Sequence, residues 1–435
     1  MTSEIVIMNK DAIALAADSA VTISGFSRDK IFASANKLFS LSDKCPVGIM
    51  IYGNASFMGI PWETIIKIYR AKNGNKTYNT LEEYADDFID FLDENEMLFT
   101  QEIQEQMFKA QLYAYFNSIK GELFAEIQKK INEEEVVDED VLMDLMTEIV
   151  DSQYELWEVA KKCPGFPDNL EEMILERYEA SIKEIISDVF EEFPLDEETI
   201  GIMEEIVPWV FSKFPEIKNN SYSGIVVAGF GEEEIFPSFK SFFIECIICN
   251  KLKYEVERQE KISLENNSVV APFAQREMVD IFMRGIDPSM FEFSVSFLDN
   301  SLKDFTETII EKKQHTSETD KYREELNNHV EKIIGGFVSS LNGIQQEHYV
   351  SPITNVVSVL PKDELASMAE SLVNLTSFKR KISFDAETVG GPIDVVVISK
   401  GDGFIWIKRK HYFKSELNPK YFINKYNGGK ENGKE

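Results

Sequence analysis

The sequence predicts an α+β fold, with two antiparallel sheets between layers of helices and a large helical insertion. Three observations lead there. The strand-like runs come in pairs joined by short turns, which favours hairpins over the long crossovers of a parallel sheet. The elements run in the order strands, two helices, a long helical stretch, strands, helices and a closing hairpin. The stretch from about residue 95 to 219 is acidic, and its apolar residues recur three and four apart, as in an inserted helical subdomain.

In order, "SEIVIMN" reads as a strand, "KD" as a turn and "AIALAADSAVT" as a second strand of small and apolar residues. "NKLFSLS" and "VGIMIYG" form another hairpin around "DKCP". "SFMGIPWETIIKIYRA" and "TLEEYADDFIDFLDEN" then switch to helical spacing, with Asn79-Thr80 as a helix start. In the insertion, "YELWEVAKK" and "LEEMILERYEASIKEIISDVFEEF" are helical, and "KKCPGFPDN" and "EEFPLDEE" are turns. Strands return in "SGIVVAGFG", "SFFIECIIC" and "LKYEVERQEKISL", the last a charged, exposed edge. A helical stretch covers about 275–380, with "EKKQHTSETDKYREELNNH" a loop or an exposed helix. The last helix has Pro361 at its first position and Leu365, Met368, Leu372 and Leu375 on its apolar face. "IDVVVISKGDGFIWIKRKHY" closes the fold as a hairpin around "KGDG". The expected organisation is 1–94 as strands and the first two helices and 95–219 as the insertion. Residues 220–412 form the rest of the core, elaborated at about 290–350, and 413–435 a polar, flexible tail.

At 435 residues the chain fits roughly two to three domains, or one domain with inserts. A formal charge of -31 argues against gripping nucleic acid, which needs Lys/Arg stripes, and against an anionic membrane surface. It reads instead as solvated helix faces. The first residues show no basic n-region with a long apolar core, and no run reaches the ~18 apolar residues of a membrane span. A cytoplasmic location is expected, and the four cysteines suit a reducing compartment. Cys246 and Cys249 form a CxxC inside an apolar strand, where positions three apart point to opposite faces, so they read as core cysteines. His315, His329, His348 and His411 show no ligand spacing, so no metal or other cofactor is expected. "GGPID" lacks the Lys-Ser/Thr of a phosphate-binding loop.

One constellation carries chemistry. Thr2 heads the first strand, Asp18 ends the second in "LAADSA", Lys37 opens "NKLFSLS" and Gly53 ends "IMIYG". Taken singly, each has an ordinary reading: a common second residue, a turn residue, a solvated charge, a strand breaker. Together, in this order on strand ends, they resemble the proteasome β-subunits and their bacterial proteasome-like peptidase relatives. "VGGPIDVVVISKGDGFIWI" is similar to that family's late Gly-Gly segment and last hairpin. The resemblance covers about 2–94, 222–254 and 361–412, and has no counterpart for the insertion or for 291–350.

The resemblance implies a four-layer αββα sandwich of the N-terminal-nucleophile hydrolases and a threonine-type peptidase. After removal of Met1, Thr2 would attack a peptide bond and carry the acyl group as an ester. Its α-amine, with an ordinary pKa of roughly 7.7–8.0, can act as base. Lys37 would depress that pKa, Asp18 would hold Lys37, and the Gly53 N–H would face the oxyanion, a donor typically worth ~3 kcal/mol. Ser19 lines the site, Gly390 and Gly391 stand where the family has its late Gly-Gly, and Asp385 and Glu387 flank, one residue out, the position from which the family supports the terminal amine. Val389 and Ala386 occupy positions where many members carry Ser and Asp, so those supports differ. Peptides or unfolded proteins would be the substrate and a homo-oligomer the assembly, with an ATPase unfoldase as a partner by analogy. Two alternatives stay open: an inactive scaffold or sensor whose insertion binds a partner, and a small-amide hydrolase of the same superfamily.

Overall fold

Seven consecutive buried residues, Ser3–Asn9, make the first strand, because β-branched and apolar side chains fill both faces of a covered sheet. In the computed structural model, residues 2–23, 30–42, 44–134, 136–215, 222–311, 317–382, 389–411 and 413–420 are described. The chain begins with strands β1 (Ser3–Asn9), β2 (Ile13–Ala17), β3 (Val21–Ile23), β4 (Lys30–Phe32), β5 (Leu38–Ser40), β6 (Val47–Gly53), β7 (Ser56–Phe57) and β8 (Ile60–Pro61). Helices α1 (Trp62–Asn73), α2 (Leu81–Asp93), α3 (Gln101–Asn132) and α4 (Glu139–Glu158) follow. Next come β9 (Lys161–Lys162), α5 (Leu170–Val189), α6 (Glu197–Ser212) and β10 (Lys213–Phe214). Strands β11 (Ser223–Gly229), β12 (Ser238–Ile248), β13 (Lys251–Lys261) and β14 (Ser268–Ala274) lead to α7 (Glu277–Arg284), α8 (Pro288–Glu311) and α9 (Ser317–Gln345). After a π-helical turn, α10 (Ser351–Val357) and α11 (Lys362–Ile382) precede β15 (Asp394–Ser399) and β16 (Gly403–Lys408). The result is a mixed α/β chain with antiparallel strand pairing.

The chain divides into two compact units, Met1–Tyr52 with Ala228–Ser238 and Glu260–Glu435, and Gly53–Val227 with Phe239–Gln259. The first holds a five-stranded sheet in the order β14-β1-β2-β15-β16. Strand β1 is interior and pairs with β14 along its whole length, Ser3 opposite Ala274 to Asn9 opposite Ser268. The odd-numbered Ile5 and Ile7 pack with Ala14, Ala16, Val395 and Val397 against Leu365, Ala369 and Val373 of α11. By the two-residue period of a strand, Thr2 and Glu4 belong to the opposite face. Asn9 fixes the turn end of the β1–β2 hairpin. Its amide donates to Val357 and Leu360 carbonyls at 3.0 and 2.9 Å, and its Oδ1 accepts from Asp11 and Ala12 backbone N–H groups. Hairpin β5–β6 pairs Leu38 with Met50.

In the second unit, α3–α6 enclose a core of Phe108, Phe116, Met146, Trp157, Tyr178 and Phe211, together with other apolar side chains. Phe108 stacks on Tyr178 and Phe211, with ring centroids 4.0 and 4.6 Å away. Thr100, Asp138 and Asp196 cap the N-termini of α3, α4 and α6, and Thr80 with Glu83 forms a capping box on α2. The buried Lys213 closes the other end of α4, donating to the Trp157 and Glu158 carbonyls at 2.8 and 3.1 Å.

Four expectations need correction. The second strand stops at Ala17 rather than running on to Thr22, because Asp18 turns its carboxylate to backbone N–H groups and ends the ladder. Strand β14 falls in a stretch that the apolar pattern did not mark as β. It carries Pro272, which can sit in a ladder only on an edge strand, and β14 ends its sheet. The two cysteines are core residues, but not on opposite strand faces. Strand β12 ends at Ile248, and Cys249 and Asn250 turn the chain with φ of 50° and 59°. Both cysteines enter the same core, and burial pushes the Cys246 thiol pKa up. Pro361 precedes the first residue of α11 rather than occupying it. Among the described residues no helix is long and apolar enough to cross a membrane.

Candidate active site

Thr2 immediately precedes β1, and Glu4 lies two residues on, so the pleat sets both side chains on one face. The Thr2 hydroxyl donates to Glu4 Oε2 at 3.1 Å. The other oxygen, Glu4 Oε1, lies 3.0 Å from Lys37 Nζ, at ion-pair distance but without hydrogen-bond alignment. Lys37 stands just before β5, where its carbonyl accepts from the Ile51 N–H at 2.9 Å. Its ammonium also donates to Asp18 Oδ1. Thr2, Glu4, Asp18 and Lys37 are each at most 5 % exposed. A buried ammonium thus sits between two carboxylates, one of which holds the threonine hydroxyl.

Asp18 is placed by the β1–β2 pairing. Its N–H donates to the Ser3 carbonyl at 3.1 Å, and the Ser3 N–H returns to Asp18 Oδ1 at 3.3 Å. Oδ2 accepts from the Ala20 N–H at 3.3 Å and from the Gly390 N–H at 2.8 Å. Ser19 ties the same two segments together: its N–H donates to the Gly390 carbonyl at 3.2 Å and its hydroxyl to the Pro392 carbonyl. The Ser19 hydroxyl is therefore committed to the backbone rather than presented to a ligand. Gly391 has φ +80°, and a Cβ there would meet the Ala33 Cβ at 2.7 Å, so glycine is required for this approach.

Burial, the largest influence, pushes the Glu4 carboxyl up to about 7, Lys37 opposes it and the Asp18 charge adds to it. A carboxyl that gains and loses its proton near neutrality, within hydrogen-bond reach of a hydroxyl, can act on that proton.

The structure brings Thr2, Asp18 and Lys37 into one network, joined by Gly390 and Ser19. Gly53 belongs to the second unit, with φ +75° and its Cα facing the Tyr222 carbonyl. Asp385 and Glu387 lie outside the described residues. The residue missed from sequence is Glu4. It is the one charged side chain in "SEIVIM", and its two-residue offset from Thr2 was the available signal. Among the described residues, no group of three or more His, Cys, Asp or Glu side chains is placed to hold a metal ion.

No family model matches the sequence, and no curated protein does. Among solved structures, Anbu, an ancestral β-subunit from Yersinia bercovieri, is similar at 8% identity and a TM-score of 0.26, covering 99% of this chain and 97% of that chain. An Anbu (Gly-1) mutant from Hyphomicrobium sp. strain MC1 is similar at 8% identity and a TM-score of 0.27, with the same coverage. Likeness at this level carries no argument about chemistry, which rests on this chain's own residues.

Proposed function

We propose that this protein is an amide hydrolase of the N-terminal-nucleophile type, cleaving peptide bonds through Thr2 once Met1 is removed. The observation that supports this is the buried chain of contacts from the Thr2 hydroxyl through Glu4 to Lys37 and Asp18. The αββα sandwich belongs to the same proposal. In this reading Thr2 Oγ attacks the amide carbonyl carbon, the C–N bond breaks as the amine leaves protonated, and water releases the acid from the ester. Lys37 supplies a fixed positive field, and Asp18 holds it, itself held by the Ser3, Ala20 and Gly390 N–H groups. A homo-oligomeric assembly and an unfoldase partner follow only from the resemblance to proteasome-like peptidases.

A second reading, an inactive scaffold or sensor, is favoured by one observation: the Thr2 hydroxyl is buried and already bonded to a carboxylate. Hydrolysis of a denatured protein and of fluorogenic peptide amides separates the two. Thr2→Ala abolishes cleavage and Thr2→Ser retains it in the first reading. Purified wild-type protein with Met1 removed and no turnover on either substrate supports the second.

A further inference from the structure

Resting on the reading of Thr2 as nucleophile, we propose that Glu4 is its general base, taking the hydroxyl proton that the terminal α-amine would otherwise have to accept. The geometry is direct. Glu4 Oε2 is 3.1 Å from Thr2 Oγ1, within the reach of a single proton transfer. Glu4 lies in an interior strand paired on both sides, and Thr2, two residues earlier, continues that edge by accepting from the Gln275 N–H at 3.2 Å, so their separation is set by the sheet rather than by a free loop.

The surroundings suit the role. Lys37 Nζ, 3.0 Å from the other carboxylate oxygen, keeps Glu4 near the hydroxyl and stabilises the anion that must do the abstracting. Asp18, on the far side of Lys37, opposes that anion and returns some proton affinity to it. Among the described residues Lys37 and Asp18 are the charged groups that face Glu4, burial adds to its proton affinity, and removal of Met1 adds the titratable Thr2 α-amine two residues away. A structural role alone would not need this arrangement. Lys37 is already paired with Asp18, and a second buried carboxylate on it adds desolvation cost without an aligned hydrogen bond.

The step balances without a co-reactant beyond water. As the Thr2 Oγ–carbon bond forms, the hydroxyl proton moves to Glu4 Oε2 and the carbonyl π electrons move to oxygen. As the tetrahedral intermediate collapses, the C–N bond breaks and Glu4 gives its proton to the departing nitrogen. Water then attacks the ester, gives one proton to Glu4, and Glu4 returns it to Thr2 Oγ.

The test uses the full chain with Met1 removed and a β-lactone, which acylates a hydroxyl without requiring a neighbouring amine. The rate of adduct formation on the Thr2 peptide is followed by mass spectrometry from pH 5 to 9. The wild type is expected to label at Thr2, with a rate rising through an inflection near 7. Glu4→Gln is expected to lose about a hundredfold or more and to lose that inflection. Glu4→Asp, which shortens the carboxylate by one methylene, should lose about tenfold yet keep an inflection. It provides the readout if Glu4→Gln does not fold. Labelling of Glu4→Gln or Glu4→Asp at the wild-type rate and with the wild-type pH profile overturns the proposal and leaves Thr2 as nucleophile. No labelling of Thr2 in the wild type removes the nucleophile itself, and with it the reading on which Glu4 depends.

Discussion

The Thr2 hydroxyl is bonded to Glu4 at 3.1 Å, and the same carboxylate reaches Lys37 at 3.0 Å. Glu4 therefore couples the first residues of the chain to the buried ion pair, and its proton should be visible in stability as well as in chemistry. Its folded pKa of about 7 lies above the ordinary 4.5. The fold keeps this proton over a range in which the unfolded chain has released it. The contribution is complete below about pH 4.5 and is lost as pH rises toward about 7. Glu4→Gln cannot titrate, so relative to wild type it should gain stability between pH 5 and pH 8, by about 3 kcal/mol at most. Urea unfolding at the two pH values measures this, and an unchanged difference would remove the buried, titrating Glu4 from the account.

Removing the ammonium should cost far more than removing an exposed one. Lys37→Met leaves Glu4 and Asp18 buried together without a cation, and the expected loss is about 3–5 kcal/mol. Lys67→Met breaks an exposed pair with Glu63 and should cost under about 0.5 kcal/mol. Adding Glu4→Gln to Lys37→Met should change little more near neutral pH, because without the ammonium Glu4 keeps its proton and only Asp18 stays charged. Chemical denaturation of the four proteins gives the comparison. Equal losses for Lys37→Met and Lys67→Met would mean that the ion pair is not buried.

Gly53→Ala should destabilise by about 1–3 kcal/mol, since its φ is +75° and a Cβ would lie 2.7 Å from the Tyr222 carbonyl oxygen. Gly121, inside α3, has open space around it, and Gly121→Ala should stabilise by up to about 1 kcal/mol. The two melting temperatures should move in opposite directions.

Asn9 bridges the β1–β2 hairpin to the segment between α10 and α11 through two amide bonds, and it also closes its own turn. Asn9→Ala strands the Leu360 carbonyl and leaves the Val357 carbonyl with only the Leu360 N–H at 3.2 Å, and the expected cost is about 1–3 kcal/mol. Hydrogen exchange should show the loss locally, as faster exchange in α10 and at the start of α11. Exchange confined to other elements would contradict this bridging role.

Much of this was readable from periodicity. The Thr80 capping box, the hairpin at "KGDG" and the acidic helices of the insertion follow from local chemistry that acts within a few residues. Asp18 and Lys37 were expected to pair only through the resemblance to proteasome-like peptidases, because local pattern does not say which strand ends meet. Strand β14 was not legible. Pro272 signals against a strand, and only its place at the sheet edge makes it tolerable. Glu4 was hidden for the opposite reason. A single acid in an apolar strand looks solvent-facing until a long-range partner, Lys37 from another strand start, supplies the charge that allows its burial.

The proposed chemistry requires Thr2 to become the first residue of the chain. The intact mass of the protein purified from the cells that make it tests this. The expected mass is short by one methionine, with Thr2 at the terminus. A chain that keeps Met1 throughout contradicts it, and would leave the buried Thr2–Glu4–Lys37–Asp18 network as part of a scaffold.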